Sequence, residues 1–213
     1  MLYAYINQKG HVDELIHAFT KFAPNLDMVH GATIVDIGCG PFTAGLALAN
    51  VVGNGAAFRY FGVDRAASMC EFGSELAQEV RALGEMNLKT QVSFHGSVDE
   101  IDFGARRAGE VTVFVLSYLL ASSSLDVEAL VNEISAARER IGWGPAVILY
   151  TNSAKDGPRA QFPAFKKRLE DAGFPMLIEE EERFAEADKP RDIHYALFSR
   201  PAVANLPISE FFK

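Results

Sequence analysis

The 213-residue chain is 49% hydrophobic and 23% charged, with a formal net charge of -8. That supplies apolar material for one large core and too little length for two ordinary domains. Such a surface repels a polyanion at long range unless its Lys and Arg gather on one face, which disfavours non-specific nucleic-acid binding. The opening MLYAYINQKGHVDEL has no basic stretch followed by an apolar one, and the best apolar run, VTVFVLSYLLA at 111–121, is about half the roughly 20 residues a membrane helix needs. With Cys39 and Cys70 as its two cysteines, the chain is expected to be cytoplasmic, reduced and free of the membrane.

An opening helix carries Val12, Leu15, Ile16, Phe19 and Phe22 along one stripe. Strand-like runs rich in β-branched and aromatic residues then appear at 32–37, 58–63, 91–95, 111–117 and 146–151. Between them lie helical stripes: Met69, Phe72, Leu76, Val80 and Leu83, then Val127, Leu130, Val131 and Ile134. Alternation of this kind is the signature of a parallel sheet. Near the end the rhythm changes. A helix is expected at 159–173, closed by Ala172-Gly173, followed by MLIEEEERF and RDIHYALFSRP as two antiparallel strands. Glu179 to Glu182 read as a solvated strand face or edge, because adjacent strand residues point to opposite faces and cannot converge on one ion.

The chemistry concentrates in ATIVDIGCGPFTAGLALANVV, where a strand stops at Gly38 and a helix pattern begins near Thr43. Gly38 and Gly40 let the backbone turn sharply and approach a ligand closely, while the following helix presents N–H groups. FRYFGVDRAAS then sets Asp64 at the carboxyl end of the second strand, where an open α/β sheet places ligand-binding residues and where a carboxylate can accept two ribose hydroxyls.

VDIGCGP followed by FGVD resembles the first two motifs of the class I S-adenosylmethionine-dependent methyltransferases, and the alternating pattern is similar from about residue 32 to 200. The resemblance implies a single-domain α/β, Rossmann-like fold: a seven-stranded, mostly parallel sheet with an antiparallel last strand and helices on both faces. It implies S-adenosyl-L-methionine as cofactor. It carries Asp36 over to the glycine turn and the amino-acid part of the cofactor, Asp64 to the ribose, and Ser97 and Val98 to the adenine. Ser117 and Tyr118 become the residues nearest a transferring methyl group. The implied cofactor-binding set is Asp36, Gly38, Cys39, Gly40, Asp64, Arg65, Ser97, Val98 and Ser117. Phe42 departs from the pattern, since the family often has a third glycine there, and its backbone is expected to avoid positive φ or to be displaced. Its ring either walls the methionine end of the pocket or packs under the sheet. Ser97 could equally cap a short helix begun by Asp99 and Glu100.

In-line methyl transfer rests chiefly on positioning. A general base matters only for a hydroxyl, thiol or protonated amine, with Tyr118 and His11 as candidates. None of the five histidines has metal-ligand spacing, and neither a Gly-x-Ser-x-Gly elbow nor a P-loop lysine occurs. Residues 1–30 form a helical cap in this reading, 31–202 the cofactor-binding domain and 203–213 a tail. The opening helix either folds over the pocket, with Tyr3 and Tyr5 lining it, or covers a sheet edge. The acceptor is a small molecule or a protein segment, and the oligomeric state stays open. Two rivals remain: a noncatalytic cofactor-binding scaffold or sensor, and a nicotinamide-dependent oxidoreductase, whose fingerprint wants glycine where Thr43 stands.

Overall fold

A computed structural model describes residues 7–22, 29–105, 109–184 and 190–202; Tyr3, Tyr5 and the 203–213 tail lie outside them. Its elements are α1 (Lys9–Phe22), β1 (Thr33–Ile37), α2 (Thr43–Val52), β2 (Arg59–Val63), α3 (Ala67–Ala82), β3 (Gln91–His95), β4 (Thr112–Ser117), α4 (Val127–Ile141), β5 (Ala146–Ser153), α5 (Phe162–Asp171), β6 (Met176–Phe184) and β7 (Arg191–Arg200). They build one seven-stranded sheet in the order β3-β2-β1-β4-β5-β7-β6. The first five strands run parallel, and β7 inserts antiparallel between β5 and β6. The expected fold class is therefore present, with the reversed last strand lodged inside the sheet.

Each central strand is buried on both faces, which explains why its sequence is nearly continuously apolar. Val35, Ile37, Phe61, Val63, Phe114, Leu116, Ile148 and Tyr150 meet α4 and α5. Ile34, Tyr60, Val115 and Leu149 meet α1 and α2 on the other side. Leu15, Ala18 and Phe19 of α1 enter that second core, so this helix packs on the sheet face.

Two elements differ from expectation. The late helix begins at Phe162, three residues after the expected 159, because 156–161 form turns before it. On α3 the apolar stripe is only half-buried, with Leu76 and Val80 packed against the core and Leu83 exposed, while Gly73 and Ala77 are the buried residues. A Cβ on Gly73 would lie 2.7 Å from Phe94 Cε1 and 3.2 Å from the Phe42 backbone nitrogen. The helix backbone itself is the packing surface there.

β6 is the sheet edge, and its glutamates divide by face as strand geometry requires. Glu180 and Glu182 pair with Lys21 of α1, Glu182 also lying 3.2 Å from His17. Glu179 pairs with Lys166 at 2.9 Å and Glu181 with Arg159. Charged edge residues of this kind discourage pairing with a further strand.

Candidate functional site

The carboxyl ends of β1, β2 and β4 meet at one end of the sheet, and the glycine turn sits there. Gly38 and Gly40 take φ of 76° and 52°, conformations that suit glycine. The Gly38 and Cys39 amides donate to the Val63 carbonyl at 2.8 and 3.0 Å, which closes the turn onto β2. A Cβ on Gly38 would lie 2.9 Å from Leu119 Cδ1, so the loop after β4 rests on the turn. The Cys39 thiol points inward, where a Cβ on Gly62 would come within 3.0 Å of it; burial pushes that thiol's pKa up.

Asp36 is buried beneath the turn. It accepts the Tyr60 hydroxyl at 2.6 Å and the Ala44 amide from the first turn of α2, tying β1, β2 and the helix start together. Burial raises its pKa to about 7, against the pull of those two hydrogen bonds.

Phe42 corrects an expectation: it keeps the glycine-like turn, with φ of 68°. The left-handed conformation costs about 1–2 kcal/mol. The ring is fully buried, edge-on to Tyr60 at 4.9 Å and to Phe94 at 5.9 Å, and such burial stabilises by roughly 1.5–3 kcal/mol. Gly45 makes room, since a Cβ there would fall 1.8 Å from Phe42 Cε2. Of the two expectations for the ring, packing under the sheet is the one observed.

Asp64 follows directly on β2, half-buried, with both carboxylate oxygens engaged. Oδ2 accepts the Gly40 amide at 3.0 Å and Oδ1 the Ala66 amide at 2.9 Å. The acid thus braces the glycine turn and the start of α3 at once. Each carboxylate oxygen has a second lone pair, so a ligand's hydroxyls can be accepted as well. Arg65 beside it is exposed. After β3, Val98 starts a three-residue 3-10 turn and is buried, while Ser97 makes no capping hydrogen bond to it. The Gly96 amide donates instead to Glu100 Oε2 at 2.8 Å. His95 lies 2.9 Å from Ser93 Oγ, a framework contact.

At the end of β4, Ser117 Oγ accepts the Thr151 hydroxyl at 3.0 Å. Tyr118 turns through a left-handed conformation, φ 58°, and stacks on His11 with ring centroids 3.8 Å apart and planes 14° from parallel. The two base candidates are therefore brought together, by α1 and the loop after β4. Gln8, just before α1, donates to the Pro41 carbonyl at 2.7 Å, so this end of the chain reaches the glycine turn as well as the sheet. A cleft of about 490 Å³ opens beside Tyr118, walled by Ser153, Lys155, Glu181, Arg191 and Asp192. A larger hollow of about 570 Å³ lies beside Arg59 and Gln91, the first residues of β2 and β3 and thus the opposite sheet end from Gly38 and Asp64.

Glu14 and Arg191 are the members of this cluster that sequence reasoning missed. Glu14 is fully buried, and Arg191 Nε lies 2.8 Å from its Oε1. His11, Glu14 and Ala18 share one buried helical face, but the apolar stripe of the sequence runs beside it through Val12, Leu15, Ile16 and Phe19, so only the fold shows the acid aimed at the core. Among the described residues no three His, Cys, Asp or Glu side chains form a metal-holding group.

No family model matches the chain, and no curated protein matches its sequence. Solved structures do match its fold. A chain from the complex of the Haloferax volcanii Trm112 methyltransferase activator with a methyltransferase aligns at TM-score 0.59 and 16% identity, covering 92% of this chain and 93% of that one. A Leishmania major S-adenosylmethionine-dependent methyltransferase aligns at TM-score 0.55 and 13% identity, over 92% and 77%. Magnesium protoporphyrin IX methyltransferase of Synechocystis PCC 6803, solved with bound S-adenosylmethionine, aligns at 0.54 and 18%, over 91% and 79%. The chain has the fold of the class I, Rossmann-like S-adenosylmethionine-dependent methyltransferases.

Proposed function

We propose that the protein is an S-adenosylmethionine-dependent methyltransferase whose acceptor enters the cleft beside Tyr118. The observation that carries this is the Gly40 amide bonded to the Asp64 carboxylate at 3.0 Å, which joins a glycine turn and a ribose-type acid into one rigid floor at the strands' carboxyl ends. When bound, the cofactor supplies an activated methyl group on a sulfonium. Asp64 accepts the ribose hydroxyls, the 97–98 turn borders the adenine, and Gly38, Cys39 and Gly40 shape the floor under the amino-acid end. Asp36 acts from below by fixing the start of α2, and Ser117 and Tyr118 border the methyl. Arg65, exposed beside Asp64, belongs to the rim.

Holding acceptor and methyl carbon in line, with water excluded, supplies as much as about 7–11 kcal/mol of the barrier. The acceptor in this proposal is a small molecule or protein segment and the setting cytoplasmic; no described helix is long and apolar enough to cross a membrane. A nicotinamide reading fits less well, because Thr43 and the buried Asp36 occupy positions where dinucleotide sites favour glycine and an apolar residue. Thermal unfolding tests the choice. S-adenosylhomocysteine at 100 times its Kd stabilises by about 2.7 kcal/mol and raises Tm by several degrees, whereas NAD at the same concentration leaves it unchanged. Stabilisation by NAD alone refutes the proposal.

A further inference from the structure

Behind the cleft stands a fully buried carboxylate, Glu14. Arg191 Nε is 2.8 Å from its Oε1 but off the line its N–H needs, and neither carboxylate oxygen completes a well-aligned hydrogen bond. The Tyr118 hydroxyl faces the same carboxylate and the same guanidinium, while its ring lines the cleft and is held flat against His11. Gly10 lets Arg191 lie on α1, since a Cβ there would be 2.0 Å from Nη2. A buried acid, a tyrosine that lines the cavity with its hydroxyl toward that acid, and a guanidinium beside both make a short proton path.

We propose that Glu14, acting through the Tyr118 hydroxyl, takes the proton of the methyl acceptor, and that the acceptor is a hydroxyl compound; this rests on the methyltransferase reading above. As the acceptor oxygen bonds to the methyl carbon, the methyl–sulfur bond of the methylsulfonium donor breaks and its electron pair stays on sulfur. The acceptor's proton passes to Tyr118 Oη while the Tyr118 proton passes to a Glu14 oxygen, leaving a methyl ether, a neutral thioether and a protonated Glu14 that returns its proton to solvent. Glu14 is a positioning residue in this scheme, since Tyr118 makes the contact. Of the cleft's charged residues, Lys155, Glu181, Arg191 and Asp192, Arg191 is the one that faces the Tyr118 hydroxyl, where it favours an oxygen developing negative charge. A thiol, with a pKa near 8.5, needs less help to ionise than a phenol or an alcohol.

The surroundings of Glu14 suit the task. Burial lifts its pKa to about 7; Arg191 of β7 and Tyr118 pull it down and Asp13 of α1 adds to the rise. Tyr195 of β7 also faces it. Burial and then Glu14 keep Tyr118 protonated, fitting it to relay a proton. His11 falls to about 4 through burial and Arg191, which makes it a poor base at neutral pH.

The test uses protein labelled with ¹³Cδ-glutamate, with phenol as the acceptor probe. One carboxyl resonance should titrate near pH 7, vanish in Glu14→Gln and move in Tyr118→Phe. S-adenosylhomocysteine formation with phenol should rise through that same pH, fall roughly 100-fold in Glu14→Gln and Tyr118→Phe with cofactor affinity kept within about twofold, and recover in part in Glu14→Asp. A Glu14 resonance in the ordinary carboxylate range overturns the inference. So does an unaltered pH profile in either variant, or phenol left unmethylated by a wild type that binds S-adenosylhomocysteine. Failure of the wild type to bind S-adenosylhomocysteine overturns the underlying cofactor reading instead.

Discussion

At the scale of single residues, the two acids flanking the glycine turn do different work. Asp64 accepts the Gly40 and Ala66 amides, so its removal touches the fold as well as the ligand. Asp64→Ala should lower stability by about 1 kcal/mol and Tm by about 2–4 °C, measured by thermal unfolding; an unchanged Tm would show that these bonds add nothing. An acid at a strand end does not show in the sequence which amides it meets, so this cost to the fold is visible only in the structure. Asp36 is a buried acid whose folded pKa, about 7, stands above its unfolded value near 3.9. The folded state holds the proton more tightly, so this group's contribution is fully present below about pH 4 and is lost as pH rises toward 7. Asp36→Asn cannot titrate and keeps an acceptor for Tyr60. Denaturant unfolding at pH 4 and pH 8 should therefore shift in the variant's favour relative to wild type by on the order of 3 kcal/mol. A constant difference would contradict the burial argument. Asp36, Gly38, Gly40 and Asp64 were legible because strand, turn and acid follow one another in the chain. Glu14 and Arg191 were not, since α1 and β7 meet only when the sheet closes.

Among elements, the strands were legible almost to the residue: β3 spans 91–95 as expected, and β5 simply continues to Ser153. Burial on both faces forces each central strand to be apolar along its length, which is a local signal. The insertion of β7 between β5 and β6 was only partly visible, because antiparallel pairing of the last two strands can be read locally while sheet order is a property of the whole. On α3, apolar periodicity found Leu76 and Val80, which pack against the core, but it also led to the exposed Leu83 and passed over Gly73, a close contact that no hydrophobic count rewards. Helix propensity alone favours Gly73→Ala by about 1 kcal/mol. The Phe42 backbone at 3.2 Å and a Phe94 ring confined by Phe42 and Tyr60 oppose it, and overpacking of this kind typically costs about 1–3 kcal/mol. Gly73→Ala should thus be net destabilising in urea unfolding, and a stabilised variant would mean that Phe94 moves aside freely.

For the molecule as a whole, a net charge of -8 is reinforced by the pairing of a local basic group. Lys166, Lys167 and Arg168 pair with Glu179, Asp171 and Glu128 at 2.9, 2.6 and 2.6 Å, and Arg159 pairs with Glu181. Little counterion release is available to drive DNA binding. Fluorescence anisotropy with a labelled duplex at physiological salt should show no submicromolar complex, and one that forms there would mean these pairs open on contact. The turn, its two acids and the neighbouring cleft lie together at the strands' carboxyl ends, and from that placement follows the claim that S-adenosylmethionine binds there. Calorimetric titration of wild type and Asp64→Ala with S-adenosylhomocysteine tests it most directly. Micromolar binding by wild type, about -8 kcal/mol, weakened at least about 10-fold in a folded Asp64→Ala, is the predicted result; equal affinity in both proteins, or tighter binding of NAD than of S-adenosylhomocysteine by wild type, would contradict it.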